Sequence, residues 1–150
     1  MSTQNIEAIL RSRYSPAVVD HVLCPHNMGE GLRPHAVASH TTANGEELHF
    51  SLWLQGDKVS RCMFTGRASP VALASASVCT RMVEGVTVRH ALKYLQVEDV
   101  IEQLAPVDEG ERWGCLLAVE TLHKALLQAL PVTRSTWRGL YGPASGGGTA

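Results

Sequence analysis

The sequence predicts an α+β fold, a three-stranded antiparallel sheet packed against helices. Three observations carry this: period-two alternation in consecutive segments between residues 36 and 65, an Asn-Gly pair between the first two, and helical apolar spacing on both flanks.

The elements follow in order. Ile6, Ile9 and Leu10 have helical spacing within residues 5–11, and Val18, Val19, Val22 and Leu23 continue it. Ser15 before Pro16 suits an N-cap and first turn, so a helix is expected from Ser15 to Leu23. Residues 25–34 (PHNMGEGLRP) read as a loop. Ala36 to Thr42 is small and β-branched, and Leu48, Phe50, Leu52 and Leu54 alternate with polar neighbours. Asn44-Gly45 between them predicts a type I′ turn, whose central residues both need positive φ. After the turn at Gln55-Gly56-Asp57, the strand Lys58 to Thr65 puts Val59 and Met63 on one face and Cys62 and Phe64 on the other. Four helices follow: Pro70 to Val83 with Ser69 as N-cap and Gly85 as stop, Thr87 to Leu95, Val97 to Leu104, and Glu111 to Leu130. The expected order is α-β-β-β-α-α-α-α, with one domain over residues 1–130. Residues 131–150, aperiodic and ending in a Gly/Ser run, are expected as a mobile tail that its own Trp137, Leu140 and Tyr141 could dock transiently.

Composition narrows the function. Apolar residues make 45% of the chain and 13 Lys+Arg nearly balance 14 Asp+Glu, which describes one globular domain without the basic stripe of a nucleic-acid binder. No apolar run of bilayer-spanning length and no leader-like N-terminus is read, so no membrane partner and a cytoplasmic location are expected. The four cysteines (Cys24, Cys62, Cys79, Cys115) form no CxxC pair and read as reduced thiols, each by default a buried small hydrophobe.

No nucleophile elbow, GxGxxG, P-loop or HExxH is present, so the chain does not read as an enzyme. His35 and His40 lie near the hairpin, where zinc or iron could recruit them, but exposed or capping roles outweigh metal ligation. His21 beside Asp20 sits toward a helix C-terminus, where the dipole favours a cation. Cys115 falls in the first turns of the last helix, where backbone N–H groups can lower a thiol's pKa.

The run Tyr14-Ser-Pro-Ala-Val-Val-Asp20-His21, continuing to Pro25, Asn27 and Gly29, resembles the opening signature of the NifU/IscU family of iron–sulfur cluster scaffolds. Ala74-Ser75-Ala76-Ser77 with Thr80 and Gly85 is similar to the family's following helix motif, and Cys115-Leu116-Leu117-Ala118 to the start of its last helix. The resemblance spans about residues 14 to 130 and implies a NifU/IscU/SufE-like fold. It also implies that the protein takes sulfur from a cysteine desulfurase, works with other iron–sulfur assembly proteins, and builds a 2Fe–2S cluster on three cysteines and a nearby aspartate.

The chain departs from that pattern. The family's Cys-Gly-Asp turn is Asn44-Gly45-Glu46 here, its second cysteine falls at Ser69, its third at Cys115, and a histidine often found before the third is Gly114. Leu104-Ala105-Pro106-Val107-Asp108 only partly matches the chaperone-recognition stretch of the IscU branch. The resemblance therefore places cofactor-binding roles at Cys115, Glu46, Asn44 and Ser69, with Cys115 and Glu46 as metal ligands, for an atypical 2Fe–2S cluster, iron or zinc. Three roles stay open: a scaffold with a degenerate site, a SufE-like sulfur acceptor using Cys115, and a pseudo-scaffold regulator that binds a desulfurase. Oligomeric state is not legible in the sequence.

Overall fold

A computed structural model of the chain describes residues 3–147, with side chains for residues 5–133. Among the described residues, helices α1 (Thr3–Arg13) and α2 (Pro16–Leu23) precede strands β1 (Ala36–Thr41), β2 (Glu47–Gln55) and β3 (Lys58–Arg67). Helices α3 (Pro70–Val83), α4 (Val88–Tyr94), α5 (Val97–Leu104) and α6 (Arg112–Gly147) follow. The strands form one antiparallel sheet in the order β1-β2-β3, as their alternation requires. Ala36, Ala38, Leu48, Phe50, Leu52, Val59, Cys62 and Phe64 make its buried face, against which α3 and α6 pack. Phe50 and Phe64 are register partners whose ring centroids lie 6.2 Å apart.

Helix α3 is central because its side chains are small. Apart from Leu73, all residues from Val71 to Thr80 are buried, so the helix can touch α2, α6 and the sheet at once. Ser69 caps it, accepting the Ala72 N–H at 3.3 Å, and Pro70 occupies the first turn, as read from the sequence.

The structure corrects the sequence reading in several places. The spacing at Ile6, Ile9 and Leu10 is a separate helix, α1, so two helices precede the sheet. The β1–β2 hairpin is not a type I′ turn: Gly45 has φ 88°, but Asn44 is not in the positive-φ region. Instead the Gly45 N–H bonds the Thr42 carbonyl at 3.0 Å and the Thr42 N–H bonds the Glu46 carbonyl at 2.7 Å, the pattern of a three-residue loop with a left-handed glycine. A bulge between the pairs Trp53↔Arg61 and Leu54↔Val59 leaves Ser60 extra, which turns Val59 onto the face of Cys62 and Phe64 rather than that of Met63. Helix α6 does not stop at Leu130; it runs through Pro131, where Thr133 Oγ1 donates to the Leu130 carbonyl at 2.7 Å. The side chains of Trp137, Leu140 and Tyr141 lie outside the described residues. The stretch Glu109–Thr133, in which the sequence reading found no run of spanning length, is long and apolar enough to cross a bilayer, yet half of its apolar window is buried inside the domain. Leu122, Ala125, Leu126 and Ala129 are spent there on the core.

Candidate functional site

The end of the sheet that carries the β1–β2 loop meets the first turn of α3, and there three of the four sequence-predicted site residues come together. The Glu46 backbone N–H donates to Thr42 Oγ1 at 3.1 Å, which fixes the loop so that the Glu46 side chain reaches α3. One Glu46 carboxylate oxygen accepts the Ser69 backbone N–H at 2.5 Å, and the other accepts the Asn44 amide at 3.1 Å. The Thr42 hydroxyl in turn bonds the Asn44 side-chain oxygen. Asn44, Glu46 and Ser69 thus satisfy one another and the start of α3.

Cys115 forms no hydrogen bond with those three. It is fully buried in the first turns of α6, where its sulfur lies 3.2 Å from Ser75 Oγ, a hydroxyl it shares with the Val71 carbonyl. The expectation of a lowered thiol pKa fails: burial pushes the Cys115 thiol up, opposed by the Ser75 hydroxyl, its own backbone N–H and Arg112. Gly114 explains the close seat of α6. A Cβ at that position would stand 2.9 Å from the Ala72 backbone nitrogen and 3.1 Å from its Cα, so even a methyl group would push the helices apart.

The other thiols do not complete a ligand set. Cys62 and Cys79 are buried on β3 and α3, and burial raises both thiols strongly, while Cys24 is exposed at the end of α2. His35 Nδ1 accepts the Leu54 N–H at 2.9 Å, and His40 Nδ1 sits 3.3 Å from Lys124 Nζ. Among the described residues, no group of three or more His, Cys, Asp or Glu side chains could hold a metal ion. The donors at the four positions, one amide, one carboxylate, one hydroxyl and one buried thiol, do not suit an iron–sulfur cluster, which is held chiefly by thiolates.

A second constellation, which sequence reasoning missed, joins the two quoted motifs about 20 Å along α3 from Ser69 at 1.5 Å per residue. Glu84, the C-cap of α3, takes one oxygen to His26 Nε2 at 2.7 Å; the other accepts the Asn27 amide at 2.5 Å and the Cys62 backbone N–H at 3.0 Å. Asn27, held at φ 57°, also donates to the Cys62 carbonyl at 3.0 Å. Ser77 Oγ accepts the His26 backbone N–H and lies 2.7 Å from His21 Nδ1, and Thr80 Oγ1 donates toward the His26 carbonyl at 3.0 Å. The motif residues therefore clamp the loop after α2 onto α3 and β3. His21 packs at the helix end against Ser77, and its pKa is lowered rather than raised by its surroundings: burial, then Arg81, lowers it, Asp20 pulls the other way, and His26 lowers it further. The signal available in the sequence was the pair of motifs, since partners 50 to 60 residues apart leave no local trace.

Comparison with known proteins places the chain among proteins of one family and fold. A protein-family profile described as NifU-like N terminal domain matches residues 13–130. The chain is similar to the bifunctional protein NifU/MnmA of Rubrobacter xylanophilus, 28% identical over 75% of this chain but spanning only 24% of that protein's length. It is similar to the zinc-dependent sulfurtransferase SufU of Bacillus subtilis, 24% identical over 80% of this chain and 82% of the relative. The iron-sulfur cluster assembly scaffold protein IscU of Aquifex aeolicus is 28% identical over 75% and 73%. In fold, the chain is similar to the crystal structure of a putative scaffold protein for the SUF system from Fervidobacterium islandicum, with TM-score 0.62, 22% identity, and coverage of 75% of this chain and 96% of that one.

Proposed function

This chain belongs to the NifU-like N terminal domain family, and from that membership we propose that it works in iron–sulfur cluster assembly as a divergent scaffold protein whose own cluster site is closed in the folded state. The observation that carries this reading is the hydrogen-bonded set Asn44, Glu46 and Ser69, where the resemblance implies ligands, together with the burial of Cys115 in the first turns of α6. A cluster, iron or zinc could be held there only after Glu46 leaves the Ser69 N–H and α6 moves to expose Cys115. Cys115 and Glu46 would then be the protein's metal ligands, with thiolates from a partner or a small thiol completing the set.

The protein is read as a binding protein rather than a catalyst, acting in the cytoplasm on a cysteine desulfurase and other assembly proteins. One relative is named a sulfurtransferase, which keeps sulfur acceptance at Cys115 as the competing role. Its burial opposes that role, because a persulfide forms on an accessible thiolate.

Anaerobic reconstitution with iron and sulfide, followed by metal and acid-labile sulfide analysis, tests the reading. The isolated chain is expected to retain much less than one cluster per chain; a stoichiometric cluster overturns the closed site. If labelled sulfur from a desulfurase accumulates on the wild-type chain but not on Cys115→Ser, the sulfur-acceptor role replaces the closed scaffold.

A further inference from the structure

The two edges of the sheet are treated differently. The β3 edge is covered at both ends: Gly29 N–H donates to the Phe64 carbonyl at 2.8 Å and Phe64 N–H to the Asn27 carbonyl at 3.1 Å, while Val59 N–H donates to the Val86 carbonyl at 2.8 Å and the Val59 carbonyl accepts the Gly85 N–H at 2.7 Å. β1 is the terminal strand on the other side, and among the described residues no strand or bridge pairs with its outer edge. The bond from Thr42 N–H to the Glu46 carbonyl sets the parity of the β1–β2 ladder, which leaves the Ser39 and Thr41 amides facing away from β2. Ala-Val-Ala-Ser-His-Thr contains no lysine, proline or acid, the devices that usually blunt an exposed edge.

A groove of about 880 Å³ lies along this edge and over the outer face of the sheet. Val37, Ser39, Ser51 and Thr65 line its sheet side with short side chains, and Lys124 and Gln128 of α6 also line it, from beyond the sheet. Lys124 has His40 Nδ1 as its neighbour at 3.3 Å and no carboxylate within ion-pair distance among the described residues. The acids that line the groove are Glu30 and Glu47, of which Glu47 faces Arg67 at 3.8 Å.

We propose that the free edge of β1 accepts an extended segment of a partner protein as a fourth strand, with an acidic side chain of that segment set against Lys124. Main-chain hydrogen bonds to the outward amides supply binding, and alternate side chains of the segment enter the groove. The occupant is a partner rather than a second copy of this chain, because pairing two β1 edges antiparallel brings two Lys124–His40 sets onto one seam, like charge against like charge.

The test is selection of a displayed library of short random linear peptides against the full chain. Enriched peptides are expected to alternate apolar and polar residues, to carry Asp or Glu, and to slow amide exchange of β1. Ser39→Pro, which removes an outward N–H on an edge that tolerates proline, is expected to weaken them by about tenfold or more. Lys124→Glu keeps the strand intact and is expected to reverse the preference toward basic peptides. Peptides that bind Ser39→Pro and Lys124→Glu as well as wild type overturn the proposal, as does failure to enrich any. A concentration-dependent dimer abolished by Ser39→Pro assigns the edge to a second copy and also overturns it.

Discussion

A single carboxylate, Glu84, at the C-cap of α3, ties two other segments to its helix end, the loop at His26 and Asn27 and the backbone of β3 at Cys62. Replacing it with Gln keeps the shape but removes the charge that the Asn27 amide and the Cys62 N–H share, and leaves an amide N–H₂ that only an unprotonated His26 Nε2 can accept. Glu84→Gln is therefore expected to lower unfolding free energy by about 2–3 kcal/mol in urea titrations, without changing the helix content of the folded state. His21 argues at the same scale. Burial holds its imidazolium below the ordinary range, so the unfolded chain takes up this proton at a higher pH than the folded one. The unfolded state then binds more protons across that window, so stability is full above about pH 6.5, falls as pH drops below it, and levels once folded His21 is itself protonated. His21→Gln is expected to flatten that part of the stability–pH curve; an unchanged slope would dismiss the assignment.

Between elements, the contact of α6 on α3 decides the character of the site. Gly114 lets the helix backbones approach until a Cβ would collide with Ala72, and the approach buries Cys115 against Ser75. Gly114→Ala is expected to destabilise by about 1–3 kcal/mol through overpacking, read as a fall in the thermal midpoint. The same variant should make Cys115 more reactive toward alkylating agents, and a more stable variant with an unreactive Cys115 would show that the seat is loose. In the sequence Gly114 was visible only as a missing histidine. The bulge at Ser60 was equally hidden, because period-two counting cannot register an extra residue that a partner strand leaves unpaired.

For the whole molecule, three of the four cysteines converge on the interior from β3, α3 and α6, and one faces solvent. Iodoacetamide under native conditions at neutral pH is expected to modify Cys24 alone, with Cys62, Cys79 and Cys115 reacting only in denaturant, as mass spectrometry would show. Fast native labelling of Cys115 would mean that α6 opens readily and that its thiol is available to sulfur or metal. The long apolar stretch of α6 belongs to this scale too. Its length and composition suit a bilayer, but the sheet, α3 and α4 take up much of its apolar surface.

By itself the sequence determined the order of the sheet, the limits of α3 and α5, the family resemblance, and which chemical groups stand where that resemblance implies ligands. Those are local properties: alternation, helical spacing, caps and motif residues are written within a few positions of each other. Only the tertiary structure decided that Glu46 bridges Asn44 to Ser69 while Cys115 bonds Ser75, that the signature is a clamp centred on Glu84, and that among the described residues no strand pairs with the outer edge of β1. Each of these depends on hydrogen bonds or packing between segments from 23 to nearly 60 residues apart, or on the absence of a neighbouring strand, and burial then fixes the state of groups whose identity alone left it open.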